Sequence, residues 1–163
     1  MRRSFAFVGM ALAAGLLAGC SGGLFGIGSL QQGTFEGTWD GAAWRGNAYA
    51  VLQGDSLTVV GRRPDPKYFY DEYVRVRVRF TGPGTYPVAE SQGELGKIVG
   101  GDAGWFPPSA GTLVIDSYDQ GSHTVSGSVT LRAESMQPAW DASGRFEAPV
   151  YSSFQQVPPD PAR

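Results

Sequence analysis

The chain has a single cysteine among its 163 residues, Cys20, so no disulfide can form within it. His123 is the only histidine, which leaves one candidate for any chemistry that needs an imidazole. Helix-forming runs rich in alanine and leucine are missing after residue 20. The one long apolar stretch, residues 5–17, is about 13 residues, short of the roughly 20 that a spanning helix needs. Positive charge is also scarce, with 13 Lys and Arg against 15 Asp and Glu. Without a basic excess a nucleic-acid partner is not expected.

What the chain has instead is punctuation and rings. It holds 24 glycines and 11 prolines, with seven Tyr, nine Phe and four Trp. This is the composition of a turn-dense all-β protein. From Thr34 onward the apolar period is two. Asp40-Gly41 and Gly54-Asp55 read as tight hairpin turns between strands at residues 34–39, 44–53 and 56–61. Residues 62–70 contain Pro64 and Pro66 and read as a longer loop, because proline has no N–H to give a central strand.

Residues 73–80 carry the clearest signal. Val74, Val76, Val78 and Phe80 share one face, and Tyr73, Arg75, Arg77 and Arg79 share the other, as in a strand with one buried and one wet side. Residues 85–88 read as a short edge strand. Residues 90–108 are glycine-rich and irregular, with a short strand at 97–99 and exposed Trp105 and Phe106. Residues 111–118 and 123–134 read as a hairpin about Asp119-Gln120-Gly121-Ser122, and 140–150 as the last strand. Such an arrangement implies an antiparallel β-sandwich of about eight strands, or alternatively a flattened lipocalin-like barrel. The domain expected is 34–151, followed by a disordered tail at 152–163.

The N-terminal layout is that of an export signal: Arg2 and Arg3, the apolar run, then small residues before Cys20. Leu17-Ala18-Gly19-Cys20 resembles the lipobox of bacterial lipoproteins. The resemblance implies removal of residues 1–19, a diacylglyceryl thioether on Cys20 and an acyl group of the palmitate kind on the new amino terminus. Several long chains on one residue suit stable anchoring, since each buried methylene contributes about 0.8 kcal/mol and one chain alone is marginal. Ser21 after the cysteine implies, by the same resemblance, the outer membrane, on its periplasmic or surface face. Residues 20–33 would then be a flexible tether, in which Leu24, Phe25, Ile27 and Leu30 suit either the bilayer surface or packing beneath the domain. The remaining 144 of 163 residues suffice for one domain. Their strand and turn patterns, among them residues 80–86, 111–115, 125–129 and 144–146, are similar to small β-domains of bacterial lipoproteins without an agreed activity.

Beyond Cys20 the candidates for chemistry are few. His123 has Asp116, Asp119, Ser117, Ser122 and Ser126 nearby in sequence, the materials of a Ser-His-Asp hydrolase; no Gly-x-Ser-x-Gly elbow accompanies them, and a solvated histidine beside a turn is the reading favoured. Asp55, Asp102, Asp116 and Asp119 carry oxygens that calcium favours, but in turns, where aspartate is common in its own right. Arg75, Arg77 and Arg79 form a stripe that suits anionic groups; its alternative is a solvated face paired with acidic neighbours. Tyr68, Phe69, Tyr70, Trp105 and Phe106 suit either ligand stacking or capping of an open end. The expectation is a lipid-anchored envelope protein, without cofactor or metal, that binds a protein or glycan partner or serves structurally. A lipocalin-like carrier and a His123 hydrolase are its competitors.

Overall fold

The computed structural model describes residues 32–65, 70–99, 102–134 and 139–158. The chain is all-β. It forms β1 (Gly33–Trp39), β2 (Ala42–Gln53), β3 (Ser56–Asp65), β4 (Tyr70–Arg79), β5 (Gly84–Pro87), β6 (Gly93–Val99), β7 (Asp102–Phe106), β8 (Ala110–Asp119), β9 (Thr124–Ala133) and β10 (Trp140–Tyr151). These join in one sheet in the order β5-β8-β9-β10-β1-β2-β3-β4-β6-β7. Neighbouring strands in that order are antiparallel. The sheet curls into a half-barrel, so its two halves face each other over a single core. The all-β antiparallel class is therefore as expected, with ten strands rather than about eight and one continuous sheet.

Alternation explains which residues meet inside. Phe35, Trp39, Trp44, Leu57, Val74, Val76, Val78 and Leu95 come from one half. Leu113, Ile115, Val125, Val129, Leu131 and Phe146 come from the other. Their rings form a continuous series: Phe35 against Trp44 at 4.7 Å, Trp44 to Trp39 at 6.0 Å, Trp39 to Trp140 at 5.9 Å and Trp140 to Phe106 at 4.6 Å. The last contact brings strand β7, at one end of the sheet order, against β10. At the other side of the molecule Phe80, just past β4, meets Tyr86 of β5 and Tyr118 of β8. Closure is thus made by side chains, while β5 and β7 remain the ends of the hydrogen-bonded order.

Strand glycines permit the curl. A Cβ on Gly61 would lie 2.4 Å from Phe35 Cδ2, and one on Gly144 would lie 2.3 Å from Phe35 Cε1. The Phe35 ring occupies the room that both residues leave vacant. Close approach of a ring to backbone is what a glycine inside a strand commonly marks.

Several local expectations change. Pro64 belongs to β3, not to a loop, pairing with Asp71. It is tolerated because β2 leaves β3 after the Asn47–Arg62 pair, so that side of the strand is free of a ladder. Residues 66–69 lie outside the described residues. The irregular 90–108 region is a single 3-10 turn at Glu90–Gln92 and the β6–β7 hairpin. His123 is a turn residue with φ +52°, and its strand begins at Thr124. Residues 152–158, assigned above to a disordered tail, continue past β10 into a 3-10 turn at Phe154–Gln156, where the Gln156 amide oxygen accepts from the Ser152 amide and hydroxyl. The expected tether at 20–33 and signal at 1–19 fall almost wholly outside the described residues.

Gly61→Ala and Gly144→Ala should each cost about 1–3 kcal/mol by overpacking against Phe35. Adding Phe35→Leu should recover part of either loss in a urea-denaturation double-mutant cycle. Strictly additive losses would show that Phe35 is not what the new methyls strike.

Candidate functional site

The outer face of β4 carries the arginines that the sequence singled out. Arg75, Arg77 and Arg79 all point outward and are exposed, as the alternation requires. Two of them are neutralised. Arg75 lies opposite Glu94 of β6 and is ion-paired with it, and its guanidinium also stands 6.0 Å from the Trp105 ring centre. Arg79 donates to Asp55 at 2.7 Å. Arg77 differs. Its Nε donates to the Ser56 hydroxyl at 2.7 Å, and among the described residues it has no carboxylate partner.

The ground around Arg77 is shaped by where β6 begins. The β4–β6 ladder starts at the Val76–Gly93 pair, so Arg77–Arg79 run on without a neighbour on that side. The 3-10 turn at Glu90–Gln92 turns the chain away there and makes one wall of a cleft of about 230 Å³. Thr58, directly across the ladder from Arg77, and Phe154 from beyond β10 also line it, with Arg75 and Glu94 on the β6 side. An adjoining cleft on the Arg79 side shares Arg77, Ser91 and Gln92.

Tyr73 shares the outward face with the arginines but is buried, contrary to the expectation of a wet position. Its partner across the ladder is Gly96, where any Cβ would overlap the tyrosine ring at 1.7 Å. The ring lies over that glycine and reaches Trp105, centre to centre 4.9 Å. Its hydroxyl has no hydrogen-bond partner among the described residues. Burial first, and the nearby Glu94 charge second, raise the phenol above its usual range. Trp105 itself is 52% exposed, whereas Phe106 is partly buried against the core.

A second polar group is internal. Glu72 is in phase with Val74 and Val76, so it faces inward, and it is only 3% exposed. Its carboxylate accepts from Trp44 Nε1 at 2.9 Å and pairs with Arg63 and, at 3.7 Å, with Lys97. Lys97 in turn stands 5.5 Å from the Trp140 ring centre. The inward phase of Glu72 was readable from the sequence as an acid in an apolar register; its partners were not. On the opposite face Asp71, also buried, accepts from Arg62.

The other sequence candidates are not brought together. Asp119 accepts from the Gly121 and Ser122 amides, which hold its carboxyl below the usual carboxylate range. The Ser117 and Ser126 hydroxyls bond each other at 2.8 Å, and Ser122 bonds Thr124. Among the described residues the His123 ring has no hydrogen-bond partner, so no base–nucleophile pair is assembled. Asp116 pairs with Arg145 and Asp55 with Arg79. No three His, Cys, Asp or Glu side chains converge among the described residues. Cys20, Tyr68, Phe69 and the side chains of Tyr70 and Asp102 lie outside what is described. No described helix is long and apolar enough to cross a membrane.

Comparison of the chain with protein-family models, with curated proteins and with solved structures finds no match.

Glu72→Ala should cost about 1–3 kcal/mol, because it leaves the buried Trp44 Nε1 without its acceptor while Arg63 and Lys97 can still reach solvent, whereas Arg79→Ala should stay within about 0.5 kcal/mol. Equal losses in urea denaturation would refute the difference. A third expectation concerns pH. Below about pH 10 both folded and unfolded chains keep the Tyr73 proton, so the group has no effect there. Above it the unfolded chain releases the proton more readily than the buried phenol does, and stability falls as pH rises. Tyr73→Phe should be nearly neutral at pH 8 and should lose less between pH 9 and pH 11 in the same assay; an unchanged slope would contradict this.

Proposed function

We propose that this chain is a lipid-anchored envelope lipoprotein of the outer membrane whose β-domain acts by binding or by structure rather than by catalysis. One observation carries the reading: Leu17-Ala18-Gly19-Cys20 stands at the end of a short apolar run behind Arg2 and Arg3, and its cysteine is the only one in the chain. A cysteine converted to a thioether has no thiolate for nucleophilic or metal chemistry. The domain then needs a surface, and the outward face of β4 offers one, with a charged stripe flanked by exposed Trp105 and Phe154. Envelope proteins and acidic glycans are partners of matching chemistry.

The core supports a surface reading over the carrier. Trp44, Phe35, Leu57, Leu95, Leu113 and Ile115 are fully buried in the space that an apolar cargo would need. A carrier site of drug-like size takes roughly 300–1,000 Å³ of enclosed volume. The clefts around Arg77 open onto the surface instead.

Mass spectrometry of the protein purified from membranes is the test. It should show a chain beginning at Cys20 with diacylglyceryl and acyl additions, and Cys20→Ala should abolish both the additions and membrane retention. An intact free thiol at Cys20, on protein recovered from the soluble fraction, would overturn the proposal.

A further inference from the structure

The geometry points to Arg77 as the centre of a binding site for one oxyanion, the carboxylate or phosphate end of a small molecule or sugar whose body lies along Phe154. This rests on the reading of the domain as a binding module and names the chemistry of its face.

The charges come first. Of the three arginines in the stripe, Arg75 is matched by Glu94 and Arg79 by Asp55, so the net positive charge of the stripe is that of Arg77. The Ser56 hydroxyl accepts from its Nε at 2.7 Å and so restrains the guanidinium at the cleft. Both terminal nitrogens are left as a fork, the geometry that grips two oxygens of a carboxylate or phosphate.

The floor supplies a second donor. Thr58 is 5% exposed, lines the cleft, and has no partner for its hydroxyl among the described residues. The hydroxyl is not sealed away from the cleft, so a ligand oxygen there can accept its hydrogen bond. Gln92 and Ser91 add polar groups on the wall. Glu94 also lines the cleft: its Oε1 is ion-paired with Arg75, while its Oε2 is buried without a hydrogen-bond partner among the described residues and would take a hydroxyl of the ligand's body rather than the anion itself. At about 230 Å³ the space suits a headgroup rather than a polymer segment. Phe154, 46% exposed at the rim, offers a ring face to whatever the anion is attached to.

Calorimetric titration of the full chain in detergent tests this with two probes, inorganic phosphate and glucuronate, and with vesicles of phosphatidylcholine and phosphatidylglycerol as a third arm. Wild type should bind at least one of the soluble probes. Arg77→Gln should weaken that binding about tenfold or more, Thr58→Val about threefold, and Arg79→Gln less than twofold, with thermal midpoints preserved. If glucuronate is the preferred probe, Phe154→Ala should weaken it and leave phosphate unchanged. Absence of binding by either soluble probe, equal losses in Arg77→Gln and Arg79→Gln, or binding to vesicles alone would overturn the site. A soluble, unacylated protein that still binds through Arg77 would sink the anchor and spare the site; an acylated protein that binds neither probe would do the reverse.

Discussion

The series of rings from Phe35 through Trp44, Trp39 and Trp140 to Phe106 holds the molecule in its shape. A ten-stranded sheet left to its hydrogen bonds alone has two open ends, and its twist need not bring them together. Here the rings span β1, β2, β10 and β7 and place one end of the order, β7, against β10. Aromatic pairs each add about 0.5–1.5 kcal/mol beyond the area they bury. The glycines at 61 and 144 are the counterpart of this packing, since the sheet admits the Phe35 ring only where it has no side chain of its own.

That closure sets what the two faces of β4 can do. Inward, the strand contributes three valines and Glu72, whose charge is met by Trp44, Arg63 and Lys97. A charge this deep is tolerated because partners meet it there. Outward, the same strand passes from Asp71 and Tyr73, covered by neighbours, through Arg75 opposite Glu94, to Arg77 and Arg79, which lie beyond the β6 ladder. The transition occurs where β6 begins, because each residue of β4 beyond Val76 has lost its neighbour on that side. The cleft is thus a consequence of unequal strand lengths.

Much of this was legible beforehand, for reasons that differ by element. Residues 73–80 announce their strand because branched apolar residues alternate strictly with arginines, and no helix can bury that pattern. The β6–β7 hairpin is hidden because Gly93, Gly96 and Gly104 interrupt the alternation, and only the Tyr73 ring lying over Gly96 shows why a glycine belongs there. Pro64 misleads for a related reason: whether proline is allowed depends on which side of a strand is paired, and that is a property of the assembled sheet. The arginine stripe was visible as a stripe. That Arg75 and Arg79 are spoken for while Arg77 is not depends on Glu94 and Asp55, which chain order alone does not align. Thr58 and Phe154 gave no signal, one being an ordinary strand residue and the other belonging to a proline-rich end.

The place of β1 has a mechanical meaning. The strand starts at Gly33 and lies between β10 and β2, hydrogen-bonded to both, and just past its first residue those two neighbours pair directly at Val150–Ala50 and Tyr151–Val51. Tension applied along the chain from the residue-33 end would load both ladders in shear at once, instead of peeling an outermost strand one bond at a time. Pulled from that end, the domain resists with two ladders together, and its first strand cannot be stripped off alone.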